Sequence, residues 1–161
     1  MMRSLSARIG SSFALTLLLA APAAAQTAQE RLWDAAIAGD TTALLTAIAD
    51  GASLDSLDTR TNPNGRLALN WAAWYDRVPA IRVLLEHGAP IDATNRTGFT
   101  ALHHAAEAGS LSAAEALLEA GADPTLPNRG GRRPAETARG NGHDAVATVL
   151  TAAEKAVAKE E

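Results

Sequence analysis

The chain has 161 residues, of which 20% are charged and only 4% aromatic, and it contains no cysteine. With 14 basic against 18 acidic residues the formal net charge is −4 at pH 7, which gives no electrostatic footprint for nucleic acid and no attraction to an anionic membrane surface. Without cysteine no disulfide can form in any compartment, so stability must come from packing within one modest domain.

The N-terminus differs from the rest. Arg3 and Arg8 lead into an apolar run from Phe13 to Ala21, followed by Pro22 and Ala23-Ala24-Ala25. A basic start, a short apolar centre and a small-residue end describe a secretory signal peptide over residues 1–25, cleaved after Ala25. The alternative is an uncleaved anchor, but the apolar run is shorter than the roughly 20 residues a spanning helix needs. A lipoprotein would need a cysteine beside the cleavage site. The expectation is a mature chain of residues 26–161, periplasmic or secreted in a bacterium and not inserted in the membrane. It keeps 12 basic and 18 acidic residues, a charge of −6.

From Thr27 the chain reads as a series of helix pairs. Thr27 with Glu30 three residues on has the form of a capping box. Leu32, Trp33, Ala35, Ala36 and Ile37 give the first helix its apolar faces. Gly39-Asp40 breaks the run, and Thr42 to Ala49 forms a second helix with Leu44, Leu45 and Ile48 as its stripe. Gly51 stops it with a positive φ. The next unit, Gly65 to Asp92, puts Leu67-Ala68-Leu69-Asn70 at the start of its first helix and has Asp76 between its helices. Pro79 falls in the first turn of its second helix, where proline is tolerated. The third unit, Gly98 to Pro124, is the most regular. Its closing pair Gly121-Ala122 follows Gly88-Ala89 by 33 residues, and Leu102 and Ala105 follow Leu69 and Ala72 by the same interval. Gly51 precedes Gly88 by 37 residues, and the surplus falls in Asp55 to Gly65, where Asn62-Pro63-Asn64-Gly65 marks a lengthened loop. A fourth unit opens at Gly131-Arg132-Arg133-Pro134-Ala135 and runs out through a charged, alanine-rich helix. A fixed period of this size built on helix pairs signals a stacked repeat, with polar outer units acting as caps.

Thr100-Ala101-Leu102-His103, Ala105-Ala106, Gly109, Leu117-Leu118 and Gly121-Ala122-Asp123 resemble the ankyrin repeat. The family's commonest first motif is Thr-Pro-Leu-His, from which Ala101 departs. The resemblance spans roughly Gln29 to Leu150 and implies an all-α solenoid of about four repeats with short β-hairpin loops, at approximately 29–58, 62–94, 95–127 and 128–157. It also implies that His103 supports the repeat turn by hydrogen bonding across Thr100, and that His143 after Gly142 is structural.

No catalytic constellation emerges. The adjacent His103 and His104 point about 100° apart on a helix and do not share a face. No His-x-x-x-His pair, cysteine ligand or calcium loop is present, so neither metal nor cofactor is expected. Gly98, Gly130 and Gly131 lack the Lys-Ser/Thr of a P-loop and serve turns. The family's inner groove implies a protein-binding surface. Residue by residue this gives Asn64, Arg66, Trp74 and Tyr75 in the second unit. The third unit supplies Arg96, Thr97, Phe99, Glu107 and Ala108, and the fourth Arg129, Arg132 and Asn141. Aromatic and arginine residues of this kind make binding hot spots, here suited to an acidic or extended polypeptide. The plainer alternative is that Trp74 fills the gap beside the long loop and the arginines are solvated. The expected function is a non-enzymatic, monomeric module that holds one partner protein. The resemblance also suggests an accessory role in peroxide tolerance through a periplasmic redox enzyme. Methionine occurs only at Met1 and Met2, so the mature chain cannot react with peroxide through sulfur, and such a role would have to run through a partner.

Overall fold

The computed structural model describes residues 26–160; the leader expected at 1–25 lies outside the described residues. Eight helices follow one another in the described chain: α1 (Ala28–Ala38), α2 (Thr41–Ala49), α3 (Ala68–Trp74), α4 (Val78–Glu86), α5 (Ala101–Ala108), α6 (Leu111–Glu119), α7 (Pro134–Gly140) and α8 (Asp144–Glu160). Each odd-numbered helix packs on the even one that follows it. The odd helices also stack α1–α3–α5–α7, and the even ones stack α2–α4–α6–α8. The result is an all-α solenoid two helices deep.

Most of these helices are too short to persist alone, so neighbours must supply what isolated turns lack. Their ends are set locally. Thr27 and Glu30 close a reciprocal capping box on α1, and Asp40 Oδ1 accepts from Ala43 N–H at 3.0 Å to start α2. Pro79 lies in the first turn of α4. The turn within each pair needs a left-handed residue: Gly39 at φ 79°, Gly109 at φ 76°, and in the second pair Asp76 at φ 56°. Between the rows, Leu32, Leu44, Leu69, Ile81, Leu84, Leu102, Leu117 and Leu150 are fully buried. Alanines at 35, 36, 72, 73, 105 and 106, also buried, let the odd helices approach closely.

The links between pairs turn back as hairpins. Asn95 N–H donates to Phe99 O at 3.0 Å and Asn128 N–H to Arg132 O at 2.9 Å, while Asp58 and Arg66 exchange bonds of 2.8 and 3.1 Å. The Asp58–Arg66 hairpin spans four more residues than the others, which is where the longer interval before Gly88 is taken up. Neighbouring pairs are tied at equivalent points. Arg77 Nε donates to Ile37 O at 3.1 Å, Ser110 Oγ to Trp74 O at 2.9 Å, and the His143 ring N–H to Glu107 O at 3.2 Å. Residues 77, 110 and 143 are one period apart, and each reaches back to the end of the preceding odd helix. His103 adds a fourth tie: Nδ1 accepts from Thr100 N–H at 3.2 Å, so Nε2 carries the hydrogen and donates to Arg132 O at 2.9 Å. This is the supporting part the resemblance implied for His103. In the second pair Leu67 provides no side-chain cap, and the fully buried Asn70, one period before His103, has neither amide atom partnered.

Candidate functional site

The hairpin tips stand in register because their backbones are bonded together. Arg96 N–H donates to Asn64 O at 3.0 Å and Arg129 N–H to Thr97 O at 3.1 Å. Asn95 Nδ2 donates to Gly65 O at 3.2 Å. Gly98 is held at φ 80°, and a Cβ there would lie 2.8 Å from the Arg129 backbone nitrogen, so the tips close up only around glycine.

Two depressions lie between these tips and the odd helices. The smaller, about 200 Å³, contains Asn64 and Arg66, and the larger, about 490 Å³, contains Arg129, Arg132 and Asn141. Thr97, Phe99 and Glu107 line both. Eight of the twelve residues expected from the sequence are thus gathered on one face. Trp74, Tyr75 and Arg96 line neither depression. Trp74 is half-buried beneath Arg66. Tyr75 is 42% exposed and stacks on Trp71 with ring centroids 6.0 Å apart. Arg96 is exposed and its Nη1 donates to Pro63 O at 2.5 Å. Ala108 is half-buried on α5.

The centre of this face is an aromatic and charged cluster. The Arg66 guanidinium sits 4.5 Å from the Trp71 ring centroid and 4.3 Å from that of Trp74, between two indoles. Such cation–π contacts are worth about 2 kcal/mol each when desolvated. Burial lowers the Arg66 pKa, against the opposing pull of Glu107 and Tyr75. His104, only 2% exposed, meets Trp74 edge-on and Phe99 at a tilt. Its Nδ1 lies 3.6 Å from Glu107 Oε2, close enough for attraction but too far for a hydrogen bond. Burial pushes the His104 pKa down despite that carboxylate. The neighbouring imidazole, aided by Arg66, holds Glu107 below the usual carboxylate range.

Sequence reasoning missed His104, Trp71 and Asn62 as members of this cluster. Trp71 carries an apolar face into the core, and His104 stands next to a histidine with a clear scaffold role, so neither had a signal of its own. The long hairpin supplies the remaining order. Asp58 is buried, which alone would raise its pKa, but the Arg60 guanidinium and backbone N–H and the Trp71 indole bring it below the usual value. Trp71 Nε1 donates to Asp58 Oδ2 at 3.0 Å, and Arg60 bridges on to Asp34 at 2.7 Å. The network fixes Trp71, and through it the position of Arg66. Among the described residues no group of three His, Asp or Glu side chains could hold a metal, and no helix is long and apolar enough to cross a membrane.

Comparison with known proteins adds one match. A family model described as "Ankyrin repeats (3 copies)" matches residues 32–128 and again residues 91–158. A search of curated proteins found no match to the chain.

Proposed function

The chain belongs to the ankyrin-repeat family, whose members are protein-interaction modules, and from that premise we propose that it is exported and holds an extended, acidic stretch of one partner protein on its concave face. The observation that carries this is the charge of that face. Arg66, Arg129 and Arg132 line the two depressions that share the single carboxylate of Glu107, in a mature chain whose net charge is −6. Opposite charge on a partner steers encounter and sets register, while Phe99 and the indoles beneath Arg66 supply contact area. Export is supported by the leader sequence alone, and its check is N-terminal sequencing of the envelope-located product, expected to begin at Gln26.

The test of the groove is site-specific photo-crosslinking in the envelope. A crosslinker at Arg129 or Phe99 is expected to trap one discrete partner chain, and a crosslinker at Thr42 or Glu115, on the exposed side of the even helices, is expected to trap little. Equal or stronger capture from Thr42 and Glu115 would overturn the groove as the binding face.

A further inference from the structure

Arg96 and Arg129 hold the same place on the third and fourth hairpin tips, 33 residues apart, and Pro63 holds it on the second. Both arginines lean back over the tip before them. Arg96 Nη1 donates to Pro63 O at 2.5 Å, and Arg129 Cγ lies 3.3 Å from where a Cβ on Gly98 would be. Arg132, close by on the fourth tip, is exposed as they are. Among the described residues none of the three forms an ion pair, and residues 93–99 and 126–133 include no acid to compete for them.

The interval between these charges follows from the backbone. Each tip folds on itself through one bond, Asn95 N–H to Phe99 O or Asn128 N–H to Arg132 O. It joins the tip before it through another, Arg96 N–H to Asn64 O or Arg129 N–H to Thr97 O. Equivalent residues are therefore two backbone widths apart, and at about 4.8 Å per width the tips recur every 9 to 10 Å or so. The stacked odd helices beneath, packed at about 8–10 Å, repeat at the same interval. A bound chain has to match it. A β-strand returns to one face every second residue, about 6.8 Å, and falls out of step. It would also need backbone donors, and the N–H groups of Arg96, Thr97, Gly98, Arg129, Gly130 and Gly131 are all engaged within the tips. A polyproline II helix needs no ladder partner, and with three residues per turn it brings i and i+3 to one face about 9.3 Å apart. We propose that the acidic segment is held as a polyproline II helix with two carboxylates three residues apart, one met by Arg96 and the other by Arg129 and Arg132. An uncharged residue three further along lies over Pro63. The proposal rests on the concave face being the protein-binding face, and it adds the conformation and register of the bound segment.

The test uses three hexapeptides of one composition, so that only the spacing of the two acids differs. Ac-Pro-Glu-Pro-Pro-Glu-Pro-NH₂ has them three apart, Ac-Pro-Glu-Pro-Glu-Pro-Pro-NH₂ two apart and Ac-Glu-Pro-Pro-Pro-Glu-Pro-NH₂ four apart. Each is titrated at low salt into the folded mature chain, followed by NMR on the backbone amides of Arg96, Thr97, Arg129 and Gly130. The first peptide is expected to bind about threefold more tightly than the other two, as fits one additional exposed ion pair. The preference should fade at high salt. Arg96→Gln can still donate to Pro63 O but lacks the charge, and it is expected to bind the three peptides alike while the helical circular dichroism is unchanged. Equal binding of the three by the unaltered chain, tighter binding of either other spacing, no binding of any, or an undiminished preference in Arg96→Gln would overturn the proposal. Each of these results leaves the crosslinking pattern from Arg129 and Phe99 free to stand or fall on its own.

Discussion

His104 shows how one side chain ties the site to stability. Burial lowers its pKa in the folded chain, and His103 is shifted the same way for the same reason. The unfolded chain, with histidine near its ordinary value of about 6.5, then binds protons that the folded chain refuses. The stability contributed by the neutral rings is complete above about pH 6.5 and is lost as pH falls below it. Glu107 acts lower on the scale, since its carboxyl is depressed and its contribution fades only below the ordinary carboxylate range. Thermal melts are expected to show a lower midpoint at pH 5.5 than at pH 7.5, and His104→Phe should narrow that gap. A gap unchanged in His104→Phe would place the pH sensitivity elsewhere. Asn70 gives a second prediction at this scale. Its amide is fully buried with both polar atoms unpaired, so Asn70→Leu, of similar shape, should stabilise the chain by about 1 kcal/mol or more, read as a higher urea midpoint. The sequence exposed the irregularity at Leu67-Ala68-Leu69-Asn70, because the regular unit has Thr100 and His103 at those places. It did not expose the orphaned amide, since whether Asn70 finds a partner depends on the reach of the next hairpin.

Among the elements, the turn between α3 and α4 is the least ordinary. Where the first and third pairs use glycine, Asp76 takes the left-handed region at φ 56°. It does so with a second duty, because Asp76 Oδ1 accepts from Ala113 N–H at 2.6 Å and so caps α6 of the next pair. Ser110, which precedes α6, has its hydroxyl turned back to the Trp74 carbonyl and leaves that N–H to Asp76. Asp76→Ala should therefore cost about 1–2 kcal/mol, from the lost cap together with a β-carbon kept at positive φ. Asp76→Asn, which tolerates this backbone and still accepts, should cost much less. Urea denaturation of both variants checks the pair, and equal losses would refute the capping role. The substitution of glycine by aspartate was legible from spacing alone. Its partner was not, because Ala113 lies 37 residues away and sequence carries no record of which N–H a carboxylate meets. The same limit hid the clamp on Arg66, whose two indoles come from another element, with the Trp71 ring held by Asp58.

For the whole molecule, the period of 33 residues fixed the number of helix pairs, their order and the place of the longer hairpin. These depend on composition repeated at constant intervals, which a sequence displays directly. That face was legible in outline, since eight of the twelve expected residues gather there, but its centre arises from side-chain directions that spacing does not encode. A stack in which each layer touches only its neighbours should not open uniformly. The slowest amide hydrogen exchange is expected in α3 and α5, each covered on both sides, and the fastest in the final turns of α8. Slower exchange in α7 than in α5 would contradict that order.

The ties made by residues 77, 110 and 143 recur at one interval, each finding a carbonyl on the layer before it. A second copy of residues 95–127 spliced in after Leu126 and Pro127 would present the same serine backwards and the same Glu107 carbonyl forwards. The architecture is in that sense open-ended: its length is a matter of copy number, and a gene duplication inside the coding region could lengthen the gripping surface by one rung without inventing a new joint.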